Sequence, residues 1–167
     1  LSFDSLTVSP DVVVIKRLVL SCIAKIFDPL GLISPFVISI KILFQEIWEL
    51  GLTWDEQVPD DIGQRFARWA CDLIILREVS LARSFVSHSW KMRKGVELHC
   101  FCDASLKAYG AVVYIKVFEV DGSVSISLVL SKAKVSPLKP VTLPRLELLG
   151  AVTGAKLIHA VRNALEL

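Results

Sequence analysis

The sequence lacks any segment that is long and apolar enough to cross a membrane. Its longest uncharged run covers 29–40, which is shorter than the roughly 18–20 apolar residues that a spanning helix needs. Pro29, Gly31 and Pro35 also interrupt that run. The first ten residues contain Asp4 and have neither a basic segment nor a sustained apolar core, so they do not form a secretory signal. We therefore expect no membrane partner.

The cysteines lack the spacing of a metal or redox motif. A zinc knuckle or a thiol redox site places two cysteines in a Cys-x-x-Cys pair, and no such pair occurs. Two of the four cysteines share one face of a predicted strand, where we expect small buried groups. Reduced thiols in an intracellular protein are the expectation. The four residues are Cys22, Cys71, Cys100 and Cys102.

The net charge is small, and methionine is rare. The formal net charge of +2 is too small to indicate nucleic-acid binding by itself. Met92 is the only methionine, 53% of the 167 residues are hydrophobic, and the mean hydropathy is +0.57. We interpret the chain as an internal excerpt whose apolar surfaces neighbouring segments would cover. Basic residues gather between positions 132 and 145 without an acidic one, which by itself is typical of a solvated loop: Lys132, Lys134, Lys139 and Arg145.

The first half of the chain has the periodicity of helices. Apolar residues at helical spacing predict helices over about 35–50 and 60–78. The segment 12–27 begins with a β-branched run and then takes on a helical pattern, with Lys16 off its apolar side. The turn at 28–31 ends the first helix, because proline lacks an amide donor and glycine accepts positive φ. The apolar positions assigned to these helices are Leu18, Cys22, Ile23, Ile26, Ile38, Ile42, Phe44, Ile47, Trp48, Ile62, Phe66, Trp69, Leu73 and Leu76.

In the second half the apolar period changes to two. Runs at 96–102, 109–120 and 124–135 predict three antiparallel strands joined by turns. A long helix then begins at Thr142 or Pro144, since proline is acceptable in a first turn, and continues toward the C-terminus. The predicted fold class is α+β, with a helical segment followed by three strands and a helix. The helix has an apolar side formed by Leu146, Leu149, Val152, Leu157 and Val161.

The helical half resembles part of the Pol polyprotein of BEL/Pao-type retrotransposons. The block Lys-Arg-Leu-Val-Leu-Ser at 16–21, the turn Ile-Phe-Asp-Pro-Leu-Gly-Leu-Ile-Ser-Pro at 26–35 and Gln-Glu-Ile-Trp at 45–48 are similar to the segment that follows the polymerase palm. The resemblance implies that 1–92 is a thumb- or connection-like helical region after a reverse transcriptase.

The second half resembles the opening of the ribonuclease H domain of the same elements. The matching blocks are Phe-Cys-Asp-Ala-Ser at 101–105, Ala-Tyr-Gly-Ala-Val at 108–112, Ser-Lys-Ala-Lys-Val at 131–135 and Leu-Pro-Arg-Leu-Glu-Leu at 143–148. The resemblance implies that 93–167 is the N-terminal half of a ribonuclease H-like fold. Both halves match in one fixed order, which makes the resemblance specific.

The same region of these polyproteins is also labelled a Pao-type peptidase. A retroviral-type aspartic protease needs an Asp-Thr/Ser-Gly loop, so that two aspartates can share one proton. Asp4-Ser5 is followed by Leu6, and no such tripeptide occurs in the chain. An aspartic peptidase is therefore the less favoured alternative.

The ribonuclease H resemblance implies a reaction that depends on carboxylates. These domains hydrolyse the RNA strand of an RNA–DNA hybrid, with two Mg²⁺ (or Mn²⁺) ions held about 3.5–4 Å apart by acidic side chains. By resemblance, Asp103 at the end of the first strand and Glu147 in the first turns of the helix are catalytic metal ligands. Taken alone, Asp103 is more often a turn-forming aspartate and Glu147 a solvated helix residue. Glu147 is flanked by leucines, however, where an unpaired carboxylate is costly.

Other polar residues are weaker candidates for contact with nucleic acid. Ser105 is either a contact to the nucleic-acid backbone or a turn-forming hydroxyl. Arg145 either contacts a phosphate or is a surface arginine that pairs with a helix. Lys132 and Lys134 are candidates through the basic stretch. His99 lies on an apolar strand, and we expect it to be a packed residue rather than a ligand.

The parent protein implied by the resemblance copies RNA into DNA and degrades the RNA strand of the hybrid. Its partners are nucleic acid and the rest of the Pol polyprotein, and its location is the cytoplasm or a virus-like particle. The family's other ribonuclease H carboxylates belong to later strands, and the polymerase's Tyr/Phe-x-Asp-Asp turn has no match here. We therefore expect the excerpt to be inactive alone. The alternative is a non-catalytic nucleic-acid-binding or structural remnant.

Overall fold

The chain divides into two compact units, of which one is helical and the other contains a sheet. The computed structural model describes residues 12–76, 80, 84 and 93–167. The predicted boundary between residues 92 and 93 adjoins residues outside that description and stays a prediction. The aspartate–serine pair at 4–5 also lies outside it. The second unit includes a short piece of the helical half of the sequence, Pro29–Ser34, which we call the edge segment.

The described part of the first unit contains helices α1 (Lys16–Ala24), α2 (Ser34–Glu49, whose first residue is the last of the edge segment) and α3 (Asp60–Ile75). Because residues 12–15 are rich in β-branched side chains, the chain there is extended, and Ile15 forms a bridge with Gln57 before α1 begins. None of the described helices is long and apolar enough to span a membrane.

The buried faces of these helices agree with the predicted stripes to different degrees. The stripe of α3 is confirmed except at Leu76, which is only half-buried and lies beyond the end of α3. In α2 the prediction was wrong for Trp48, which is 48% exposed, and Ile40 and Leu43 are buried instead. A helix with apolar residues on most sides does not reveal which side is covered, because its periodicity is weak. The buried hydrophobic residues of the three helices are Val19, Cys22, Ile40, Leu43, Ile47, Ile62, Phe66, Trp69 and Leu73.

The sequence predicts that Lys16 lies off the apolar side of α1, and this prediction is wrong. Lys16 is only 5% exposed. Its ammonium donates a 2.6 Å hydrogen bond to the carbonyl oxygen of Leu52 and lies 4.6 Å from the ring centroid of Trp48. Burial of this charge is tolerable because a carbonyl oxygen and an aromatic face replace the water it loses.

The second unit is a three-stranded antiparallel sheet with one helix on it, which confirms the α+β class. Strands β1 (Arg93–Ala104), β2 (Ala108–Glu119) and β3 (Val124–Val135) follow one another in the sheet, and α4 (Leu143–Ala164) comes after them. The register between β2 and β3 shifts by one residue at Val129, as in a β-bulge.

One face of the sheet packs against α4 and forms the core of this unit. Alternate residues of β2 point into it, as expected for a strand with a period of two. On α4 the prediction was right for Leu146, Leu157 and Val161 but wrong for Val152, which is 42% exposed. Two glycines and a threonine take part in the buried face instead. The buried residues of the core cluster are Ala111, Val113, Ile115, Val117, Val129, Leu157 and Val161.

The edge segment lies along the outer edge of β3. The amide of Ser131 donates a 2.9 Å hydrogen bond to the carbonyl oxygen of Leu30. The hydroxyl of Ser131 lies 2.5 Å from the carbonyl oxygen of Gly31 and 2.8 Å from the hydroxyl of Ser34. An edge strand exposes unpaired amides and carbonyls, and this segment satisfies part of that edge.

Candidate metal and nucleic-acid site

One end of the sheet gathers the residues that the sequence indicated as metal ligands or as contacts to nucleic acid. Because the strands are antiparallel, the end of β1, the beginning of β2 and the end of β3 lie side by side, with Ala108 opposite Val135 and Ala104 opposite Tyr109. The N-terminus of α4 lies at the same end. The candidate residues found there are Asp103, Ser105, Lys132, Lys134, Arg145 and Glu147.

The direction of α4 follows from two close approaches to β1. A methyl group on Gly150 would lie 3.2 Å from the main-chain carbonyl oxygen of Asp103, and one on Gly154 would lie 2.9 Å from the sulfur of Cys100. The helix therefore runs antiparallel to β1, with its first turns beside the strand's C-terminal end. Glu147 lies about one turn before Gly150 and about two turns before Gly154, so it is on the same side of the helix as these glycines. That side meets β1 at Asp103.

The Asp103 carboxylate is exposed, and one of its oxygens accepts a 2.8 Å hydrogen bond from the amide of Ala104. Strand alternation groups Asp103 with His99 and Phe101, on the face of the sheet away from α4. A metal ion shared with Glu147 therefore requires the longer glutamate side chain to extend past the end of β1.

Glu147 is also exposed. The prediction that its flanking leucines bury its carboxylate and make the unpaired charge costly is therefore wrong. Neighbouring residues on a helix point about 100° apart. Leu146 is buried under the helix, whereas Leu148 is 63% exposed. Sequence neighbours thus reveal little about the surroundings of a helical side chain. An exposed carboxylate is accessible to an ion from solvent.

Ser105 forms the turn between β1 and β2. Its hydroxyl oxygen accepts hydrogen bonds from the amides of Lys107 and Ala108, at 3.3 and 3.2 Å, and lies 3.2 Å from the carbonyl oxygen of Ala108. The turn-forming alternative therefore describes its place in the structure, and its contact with nucleic acid stays a prediction. By ordering this turn, Ser105 holds the chain immediately after Asp103.

Basic side chains surround the same end of the sheet. Lys132 and Lys134 are exposed near the end of β3, on the α4 side of the sheet. Arg145 is exposed in the first turn of α4. Exposed positive charges can neutralise the phosphates of a polynucleotide backbone.

His99 was predicted to be packed, and this was wrong. Its side chain is 45% exposed, and Nε2 lies 3.0 Å from a carboxylate oxygen of Glu97. Lys116 on β2 approaches the same carboxylate to 3.4 Å. The hydrogen bond from His99 lowers the pKa of Glu97, with a smaller contribution from Lys116. These residues are on the face opposite α4, which a single apolar strand could not reveal.

The residues at the strand end fit part of a divalent-cation site. Carboxylate oxygens are the ligands that Mg²⁺ and Mn²⁺ prefer, and Asp103 and Glu147 both offer them to solvent. Among the residues that the structure describes, no group of three or more histidine, cysteine, aspartate or glutamate residues could hold a metal ion. Two carboxylates are therefore a partial ligand set.

An antiparallel β1–β2–β3 sheet followed by a helix that packs on it is the arrangement of a truncated ribonuclease H-like fold. The profile of one protein family, described as the Pao retrotransposon-like RNaseH-like domain, matches residues 15–167. The chain belongs to this family, and its resemblance to a fragment of a Pao-type retrotransposon Pol protein is confirmed. No curated protein and no solved structure gives a match to the chain.

Proposed function

We propose that the chain carries the first part of a ribonuclease H active site, from a Pol protein that copies RNA into DNA and hydrolyses the RNA strand of the resulting hybrid. The observation that supports this is the approach of the first turns of α4, which carry Glu147, to the main chain at Asp103. The parent protein would act in the cytoplasm or in a virus-like particle.

In this function Asp103 and Glu147 are metal ligands. Divalent Mg²⁺ or Mn²⁺, when bound, supplies activation of a water molecule and stabilisation of charge on the phosphate. The side chains of Lys132, Lys134 and Arg145 would hold the backbone of an RNA–DNA hybrid by neutralising its phosphates. The nucleotide sequence of the hybrid would contribute little to this contact, because phosphates carry no sequence information directly.

Two carboxylates supply few fixed oxygens for Mg²⁺, which demands near-octahedral geometry and gives up its water reluctantly. The 167-residue chain should therefore bind divalent metal weakly. It should cleave a labelled RNA–DNA hybrid no faster than a buffer control.

A titration of the protein with MgCl₂, followed by amide NMR signals, tests the assignment. Signals from 103–105 and 145–149 should shift together and fit one dissociation constant. Asp103→Asn and Glu147→Gln should each remove that response, because each keeps the side-chain shape and removes its charge. Separate responses of the two segments, or none in the unmodified protein, would show that the two carboxylates do not share an ion.

A second candidate is non-catalytic binding of nucleic acid. It is favoured by the absence of a three-ligand cluster among the described residues. In that case Mg²⁺ should not increase the affinity for the hybrid, because added cations compete for its phosphates, and Glu147→Gln should not reduce the affinity. The metal-dependent function instead requires Mg²⁺ to increase the affinity for the hybrid.

A further inference from the structure

The face of the sheet away from α4, which we call the far face, presents aromatic rings to solvent. Phe101 of β1 is 59% exposed, and its ring centroid lies 6.2 Å from that of Tyr114 on β2, at an interplanar angle of 71°. Phe118 is half-buried farther along β2. The strand register places all three on this face, since residues 111, 113, 115 and 117 of β2 form the core on the other side. Exposed aromatic rings are surfaces on which unpaired nucleobases stack.

Two side chains that donate to anions lie among these rings and share one acceptor. His99, opposite Tyr114 in the register, has its Nε2 3.0 Å from an oxygen of the Glu97 carboxylate. The ammonium of Lys116, on the neighbouring strand, lies 3.4 Å from the same oxygen and 4.6 Å from the ring centroid of Phe118. Both donors are therefore directed at one anionic oxygen, which the chain itself supplies in this structure.

We propose that the far face is a binding surface for single-stranded nucleic acid. Bases stack on Phe101 and Tyr114, and a phosphate takes the place of the Glu97 carboxylate between His99 and Lys116. A phosphate oxygen can replace a carboxylate oxygen there because both accept strong, charge-assisted hydrogen bonds. Rings that take bases, interleaved with cations that follow the backbone, are the features of surfaces that bind single strands.

This surface differs from the contact proposed above for the RNA–DNA hybrid. Lys132 and Lys134 lie on the α4 side of the sheet, whereas binding at the far face requires neither lysine and no metal. A hybrid also suits the far face poorly, because its bases are paired and stacked on one another and so cannot lie on a ring. The carboxylate of Asp103, at the end of the far face, repels phosphate, so the strand should run along β2 instead.

The size of the far face favours a nucleic-acid strand over a second copy of the chain. Three strands about 4.8 Å apart and about nine residues long, at about 3.4 Å per residue, give a projected area of about 450 Å². A standard protein interface buries about 800 Å² on each partner. An extended single strand needs only the length of the face, about 30 Å, to place several nucleotides.

Fluorescence anisotropy of a labelled oligothymidylate and a labelled oligouridylate, each of about 12 nucleotides, tests the proposal on the 167-residue protein. Phe101→Leu keeps an apolar side chain but removes the ring, so the affinity for both probes should fall about fivefold or more. The matched control is Ile126→Ala, because Ile126 is 66% exposed on the same face and has no ring. The affinity of this control should stay close to that of the unmodified protein.

Glu97→Gln should raise the affinity, because it frees His99 and Lys116 for a phosphate and removes a negative charge beside them. The gain should be about fivefold, which is the effect of one unit charge about 4 Å away in water. Lys116→Gln should lower the affinity and reduce the slope of log affinity against log salt by about 0.7, the share of one phosphate contact on a single strand. A structural defect would lower the affinity in both variants.

Unchanged affinity in Phe101→Leu, an equal fall in Ile126→Ala, or a fall in Glu97→Gln would each overturn the proposal. An equal fall in Ile126→Ala would indicate an apolar surface for a protein partner instead. Phe101→Leu should leave the affinity for the hybrid unchanged, so failure of this proposal is distinguishable from failure of the proposed metal-dependent function.

A measurement on the unmodified protein covers the case in which Phe101→Leu does not fold. Stacked bases should shift the ring-proton NMR signals of Phe101 and Tyr114 upfield when oligothymidylate is added, because the ring currents of the bases act on them. The signals of Phe66, which is fully buried in α3, should stay in place. Ring signals of Phe101 and Tyr114 that do not move would overturn the proposal.

Discussion

The hydroxyl of Ser131 donates a hydrogen bond to the carbonyl oxygen of Gly31 over 2.5 Å, which joins residues 100 positions apart. Together with the Ser131 amide, which bonds to Leu30, it attaches the edge segment to β3. Helix α1 already ends at Ala24, and the turn at 28–31 has another role. It covers the edge of a strand whose exposed amides would otherwise be available to another chain.

Gly31→Ala should detach the edge segment. Gly31 has a φ of +68°, where an L-residue costs roughly 1–2 kcal/mol. An added methyl group would also overlap the carbonyl oxygen of Ser131, and overpacking of this kind costs about 1–3 kcal/mol more. Hydrogen exchange of the Ser131 amide should accelerate, because its acceptor on Leu30 is lost.

Gly122→Ala is the control for Gly31→Ala within the same unit. Gly122 has a φ of +90°, but nothing lies within 4 Å of its added methyl group. The strain of positive φ is thus present without the overlap, and exchange at Ser131 should stay close to that of the unmodified protein. Equal acceleration in the two variants would mean that β3 simply loosens when any turn is strained.

Lys16→Met should destabilise the helical unit. The substitution keeps most of the length of the side chain but removes the 2.6 Å hydrogen bond to Leu52 and the cation–π contact with Trp48. A hydrogen bond to a charged group and a cation–π contact together outweigh the apolar gain by about 1–2 kcal/mol. Denaturation followed by tryptophan fluorescence measures this loss. Lys25→Met, at an exposed position just after α1, should change little.

Cys22 and Cys100 should react slowly with iodoacetamide at pH 8, whereas the exposed Cys71 and Cys102 should react first. Burial raises the pKa of Cys22 and of Cys100, so less of each thiol is present as the reactive thiolate. Mass spectrometry over time gives the order of modification. In guanidinium chloride the four rates should become similar, because unfolding removes the burial. Alkylation of Cys100 as fast as that of Cys71 would contradict the packing of α4 on β1.

Periodicity was sufficient to predict the strands and α3 because each has one covered face. The β-branched and aromatic run of β2 and the stripe of Ile62, Phe66, Trp69 and Leu73 were visible in the sequence. Features that depend on distant contacts were not visible. The burial of Lys16 needs Trp48, and the placement of the edge segment needs Ser131.

In the candidate site, too, some features were visible in the sequence and others depend on distant contacts. The resemblance indicated Asp103 and Glu147, and strand order explains why their two elements meet at one end of the sheet. How closely α4 approaches β1 there depends on Gly150, where an added methyl group would lie 3.2 Å from the carbonyl oxygen of Asp103. A search for large apolar residues on α4 passes over glycine, although a glycine followed by another four residues later is a sequence signal for close approach.

Removal of the two lysines at the end of β3 should weaken binding of an RNA–DNA hybrid in a way that depends on salt. Lys132 and Lys134 are exposed beside the candidate site. If each neutralises one phosphate, the double variant with alanine at both positions should reduce the slope of log affinity against log salt by about 2. Fluorescence anisotropy of a labelled hybrid at several NaCl concentrations measures that slope. Lys156→Ala is the control, since Lys156 is exposed on α4 more than two turns beyond Glu147. An equal change of slope in the control would mean that the hybrid is attracted by overall charge rather than by this end of the sheet.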